Sequence, residues 1–185
     1  MNASGPRFGR TTRKSLLVLH VACGVGWMGA DVVLAILMLT GWFSGDGPTV
    51  AAAYTAARLV IPPAVPVLAG GMLVTGVLLG IGTKYGLVQW WWVFVKLVIG
   101  VVLTVLVFVL LLPGALDLPT GLTGTADEIR AEVGRQGRHL LFPPLVSFVA
   151  LAFSLVVSVF KPWGRTRWGR RARSERQQRE KVTTA

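Results

Sequence analysis

Apolar residues run in four long blocks, divided by short polar stretches rich in glycine, proline and serine. Each block reaches the roughly 20 residues needed to cross a hydrocarbon layer about 30 Å thick. The first, about 15–43, is long enough to tilt or protrude. SGDGPT, 44–49, reads as a turn. The second span, about 59–81, carries Pro62, Pro63 and Pro66 near its start, where a first helical turn tolerates a missing N–H. GTKYGLVQ is a short loop. The third span, about 90–112, opens on Trp90, Trp91 and Trp92, rings suited to the headgroup interface. Residues 113–138 are polar, and Thr125 followed by Glu128 has the form of a capping box, which predicts a short surface helix over 126–136. The fourth span is about 139–160. The predicted fold is an all-α membrane protein, a bundle of four transmembrane helices. The apolar stretch from Ser15 to about Phe43 far exceeds the roughly 7–15 residues of a signal-peptide core, so it reads as an uncleaved first span.

A weak internal repeat accompanies this pattern. Span two begins Arg58-Leu-Val-Ile-Pro-Pro-Ala-Val and span four His139-Leu-Leu-Phe-Pro-Pro-Leu-Val, 81 positions apart. Leu19-His20-x-x-x-Gly24-Val25 and Val95-Lys96-x-x-x-Gly100-Val101 lie 76 positions apart. A duplicated two-helix hairpin produces such matches; so does chance among short apolar strings.

Composition sharpens the class. Hydrophobic residues make up 53% of the chain and charged residues 15%, against about 25% charged in soluble domains. Cys23 is the only cysteine, which excludes an intrachain disulfide or a multi-cysteine metal site. The net charge of +11 suggests nucleic acid until its placement is read. Residues 1–14 hold Arg7, Arg10, Arg13 and Lys14; residues 161–185 hold nine Lys or Arg against two Glu; the stretch between them is neutral. Charge confined to both ends predicts cytoplasmic termini and a basic tail lying on anionic headgroups. No nucleic-acid partner is expected.

Polar residues inside the spans carry the candidate chemistry. At about 100° per residue, His20, Gly24, Trp27 and Asp31 share one stripe of the first helix. Ionisable groups in a span are costly against lipid, so the stripe faces the bundle interior. His20 and Asp31 lie about 16 Å apart along the axis and cannot touch. Two layers follow: His20 with Lys96 toward the cytoplasm, and Asp31 with Arg58 or His139 toward the outside. Each has a structural reading. Lys96 can snorkel, Asp31–Arg58 can be a plain ion pair, and His20 can bond a neighbouring carbonyl. The sharper reading of His20 is metal or haem ligation, with Gly24 beside it and Lys96 opposite in an apolar slot. No nucleophile–base pair, phosphate loop or HExxH motif points to a hydrolase or transferase.

His20-x6-Trp27-x-Gly29, the GIGTKYGL loop, Trp92-x3-Lys96-Leu97 and the closing KPWG together resemble a bacterial family of four-helix integral membrane proteins of unknown function, over roughly residues 15–170. That family is distantly similar to the membrane domain of copper-resistance protein D and to the HemJ-type protoporphyrinogen oxidase. In the latter, a first-helix histidine ahead of a tryptophan and a lysine after a tryptophan are associated with haem b. The resemblance implies a multi-pass protein of a bacterial plasma membrane. It also implies a b-type haem or porphyrin held by His20 and Lys96, with Gly24, Trp27 and Gly100 around it. Gly29-Ala30-Asp31-Val32-Val33 stands where the HemJ-type motif has further polar and aromatic residues, so haem binding is expected without porphyrin oxidation. The alternatives are a cofactor-free scaffold or accessory subunit, and a small-solute or ion permease with Asp31 on its path, which four spans would serve as a homo-oligomer.

Overall fold

In a computed structural model of the chain, residues 8–82, 87–160, 163, 164 and 166 are described. The loop at 83–86, the first seven residues and most of the basic tail lie outside them. The described chain is helical: α1 (Arg10–Phe43), α2 (Gly47–Gly82), α3 (Trp91–Leu116), α4 (Ala126–His139) and α5 (Phe142–Phe160). Four of these, all but α4, are long and apolar enough to cross a membrane. Each spanning helix packs on its chain neighbours, and α1 closes the ring against α5. Outward faces are apolar, with Val18, Val67 and Val149 about two-thirds exposed. Such surface is an aggregation liability in water and suits lipid chains.

Two helices run further than their sequence pattern predicts. α1 begins at Arg10, taking in the basic residues placed before the first span; Arg and Lys are good helix formers. α2 begins at Gly47 and not near residue 59. Asp46 caps it, its Oδ2 accepting from the Thr49 N–H at 2.9 Å and the Thr49 hydroxyl at 2.5 Å, and the alanine-rich stretch that follows favours helix. Pro62, Pro63 and Pro66 therefore sit inside α2 and not in its first turn. α3 widens into a π turn at Val107–Leu111, where the Leu112 N–H reaches back to the Val107 carbonyl. Pro113 follows; its ring would crowd the carbonyl four residues back in a regular helix, and the wider turn relieves this.

α1 and α2 pack antiparallel, with glycines of each facing side chains of the other. A Cβ on Gly71 would lie 2.9 Å from Cys23 Sγ, one on Gly26 3.1 Å from Leu68, and one on Gly41 2.8 Å from the Tyr54 ring. This is the close approach that small residues permit between membrane helices.

The end where α1 meets α2 is closed by the 113–139 segment. Its apolar residues Leu118, Leu122, Ile129 and Val133 are buried. The capping box forms: the Thr125 N–H donates to Glu128 Oε2 at 2.8 Å and Thr125 Oγ1 accepts from the Glu128 N–H. Two arginines fasten this end. Arg130 donates from Nε to the Gly41 carbonyl at 2.9 Å and from Nη2 to the Ser44 carbonyl. Arg58 donates to the carbonyls of Leu116 and Leu118. Neither α1 nor α3 has a basic residue in its own last turn, so these guanidiniums, brought from elsewhere in the chain, answer the negative helix ends.

At the opposite end, Phe8 packs on Gly82 and the Thr166 N–H donates to the Gln89 carbonyl at 2.9 Å. Both ends of the described chain thus meet the α2–α3 connection.

Arg130→Ala should lower stability by about 2 kcal/mol, the loss of hydrogen bonds from a charged donor, and Arg130→Lys should recover only part of it because the fork is gone. Thermal unfolding in detergent checks both. Bonds from the Thr125 backbone and then its side chain hold the Glu128 carboxyl below its ordinary value. Its contribution to the cap is therefore complete above that ordinary value and is lost as pH falls through the lowered one. The protection of amides in the first turn of α4, their exchange compared with that of free amides at the same pH, should fall below about pH 4 and hold steady from there to neutrality.

Candidate functional site

The core is packed unevenly. In α1 the first buried residue is Trp27, and in α3 it is Leu103. The half of the bundle before these positions encloses a cavity of about 430 Å³, within the ordinary range for small-molecule sites. His20, Trp27, Lys96, Gly100 and Ser154 are among its lining residues, and exposed Arg13 stands at its rim. Three basic side chains and no acidic one line it.

His20 is held in one orientation. A Cβ on Gly76 would come within 3.1 Å of its Cε1, so the glycine makes the seat for the ring. Nδ1 lies 3.0 Å from the Met72 carbonyl and 3.1 Å from Thr75 Oγ1. The Thr75 hydroxyl donates its proton to the Gly71 carbonyl at 2.6 Å. Both partners of Nδ1 are therefore acceptors, and the neutral ring carries its proton there. The lone pair is left on Nε2, which has no hydrogen bond among the described residues.

Lys96 reaches the same cavity from α3. Its Nζ donates to Ser158 Oγ on α5 at 2.5 Å and lies 5.7 Å from the centre of the Trp92 ring. No acidic partner is within ion-pair distance among the described residues, where Arg130–Asp127 is the single salt bridge. His20 and Lys96 belong to helices on opposite sides of the ring, and the cavity lies between them. Gly100 also lines it, at contact distance from α2: a Cβ there would lie 3.8 Å from Leu73. Gly24 does not line it; it turns toward the Met72 side chain of α2, 3.7 Å from a Cβ placed on it, because the stripe from His20 to Asp31 is wide enough for its edge to meet the neighbouring helix.

The outer layer departs from its expected composition. Asp31 is 1% exposed, and its Oδ2 accepts from Ser147 Oγ of α5 at 2.6 Å. It does not pair with Arg58, which spends its donors on the end of α3, or with His139, which is exposed at the end of α4. The side chain of Arg138 lies outside the described residues. Asp31 Oδ1 and Trp27 Nε1, one turn apart, are both buried without a hydrogen-bond partner; the indole N–H is near enough to act on the carboxyl but falls short of hydrogen-bond geometry.

The serines of α5 were not among the expected site residues. Ser147, Ser154 and Ser158 follow one another at spacings of 7 and 4, a single stripe of a helix. That spacing was the available signal. Ser147 meets Asp31, Ser158 meets Lys96, and Ser154 Oγ is buried at the cavity with no partner. Among the described residues no group of three or more His, Cys, Asp or Glu is placed to hold a metal ion, so a metal here would depend on a ligand brought with it, such as a macrocycle.

Ser147→Ala strips Asp31 of its one hydrogen-bond donor and should cost about 1–3 kcal/mol, the range for an orphaned buried polar group. Asp31→Asn keeps an acceptor for Ser147 and should cost less. Unfolding of both variants in detergent gives the comparison. No described protein family, curated protein or solved structure matches this chain.

Proposed function

We propose that this is a multi-pass protein of a bacterial plasma membrane, both termini cytoplasmic, that binds a b-type haem or related porphyrin between α1 and α3. The observation that carries the reading is the His20 ring. Metal-bound histidines characteristically donate the other ring N–H to a carbonyl or carboxylate, which fixes the tautomer, and His20 Nδ1 is tied in this way to Met72 with Nε2 left over. His20 would hold the iron through Nε2. Lys96, already bonded through its amine to Ser158, suits a porphyrin carboxylate better than the iron, and Arg13 offers a second cation at the rim. Gly76 seats the imidazole, and Gly100 forms part of the α3 wall. A bound haem would supply one-electron chemistry; the protein's part is to orient the imidazole, neutralise the carboxylates and keep the ring out of water.

Two further features support the placement. The basic ends favour the cytoplasmic side, and the described parts of both termini meet the same end of the bundle. A duplicated hairpin is part of the reading: α2 covers 47–82 in one piece, while α4 and α5 cover 126–160 with a break at 140–141, each with a Pro-Pro pair inside that span. The rival is a cofactor-free scaffold, favoured by the fact that Lys96 and His20 each find a partner within the protein.

The visible spectrum of detergent-purified protein from haem-replete cells decides between them. A Soret band is expected, absent in His20→Ala and retained in Lys96→Met with weaker haem affinity. A colourless wild-type protein overturns the haem reading.

A further inference from the structure

A second cavity, of about 600 Å³, lies between the π turn of α3, the end of α4 and the start of α5. Its lining runs from buried Ser147 to exposed Asp117, Gln136 and His139. The first cavity runs from exposed Arg13 to buried Trp27 and Ser154. The two therefore enter the bundle from opposite ends, and Asp31 stands between them. It lines neither, yet it bonds Ser147 on one side and follows Trp27 by one turn, about 6 Å of helix, on the other.

The wall between the cavities gathers every buried side-chain polar atom without a hydrogen-bond partner among the described residues: Trp27 Nε1, Asp31 Oδ1 and Ser154 Oγ. Buried polar atoms are nearly always paired, and an orphan calls for water, an ion or a functional reason. Trp27 Nε1 and Asp31 Oδ1 lie one turn apart on α1, and Ser154 Oγ lies about two turns beyond Ser147 on α5, so the three offer polar stations for bridging water along the way from Asp31 into the first cavity.

We infer that Asp31 is a proton-exchange site joining the two cavities, so that the bundle passes protons from one end to the other. Ser147 Oγ takes the excess proton of a protonated water in the second cavity, leaving neutral water, as it gives its own to Asp31 Oδ2. The carboxyl group turns about its Cβ–Cγ bond and releases the proton to water beside Trp27 and Ser154. Only O–H bonds form and break, the carboxylate is regenerated, and no redox partner is needed. α2, α4 and α5 all pack on α1, and no charged side chain among the described residues pairs with Asp31; Ser147 of α5 and Trp27 of α1 are its polar neighbours. A metal cation is the poorer occupant. It would need several oxygen ligands, whereas here one carboxyl and one hydroxyl face an indole N–H that repels it. The inference is independent of the haem reading.

The test uses the full chain in phosphatidylcholine vesicles with a trapped pH-sensitive dye, and a potassium gradient with valinomycin to drive protons. Wild type should move protons at least several-fold faster than protein-free vesicles. Asp31→Asn should fall to the protein-free rate, and Asp31→Glu should recover part of the flux. A wild-type rate equal to that of empty vesicles overturns the proposal, as does an Asp31→Asn rate equal to wild type. Should Asp31→Asn fail to reconstitute, wild type treated in the vesicles with the carboxyl reagent dicyclohexylcarbodiimide carries the test: a rate cut several-fold supports the relay, and an unchanged one overturns it.

Discussion

The close approach of α1 to α2 is the constraint on which the rest depends. At successive levels a glycine on one helix admits a side chain from the other: Gly76 takes His20, Gly71 takes Cys23, Gly26 meets Leu68 and Gly41 meets Tyr54. Lipid gives helices little hydrophobic reason to associate, so contact area gained by backbone proximity supplies the attraction. The same proximity brings the Met72 carbonyl to His20 Nδ1. An α2 held even an ångström further off would leave the imidazole without its orienting bond, and the tautomer would be free to change.

From this pair the bundle fills unequally. Toward the α4 end, Leu34, Met38, Ile61, Val107, Leu118 and Ile129 close a continuous core against α1 and α2, and the second cavity lies beside it among α3, α4 and α5. Toward the other end the first cavity reaches both α1 and α2. Folding stability can therefore reside in the packed stretch of the α1–α2 pair, which separates what holds the protein together from what it holds. Asp31 and Trp27 mark the boundary, and their missing partners fall where packing gives way to hollow.

The four spans were legible because their signal is length and hydropathy, which tertiary contacts do not override. The start of α2 was not, because three prolines suggest a helix beginning, while the capping by Asp46 that starts the helix earlier depends on two bonds from Thr49. Helical phase put His20 on an inward stripe and depth put Lys96 at its level, and both line one cavity. Phase also put Asp31 inward, but its partner was sought among charges. Apolar surroundings favour a short hydroxyl beside a buried carboxyl over a long guanidinium that must also satisfy itself, and both arginines were taken up by free carbonyls at helix ends. Serines spaced 7 and 4 on α5 are silent to a search for charge, since a hydroxyl in a span can simply bond the backbone four residues back, as Ser158 does with the Ser154 carbonyl.

Gly134, at φ 58° and ψ −135°, divides α4 into two pieces with different allegiances. The piece before it carries Arg130 and is fastened to the end of α1; the piece after it supplies Gln136 and His139 to the rim of the second cavity. One short helix therefore both stoppers the end of α1 and forms the rim of the second cavity, and the positive-φ glycine is what lets the chain turn from the one duty to the other.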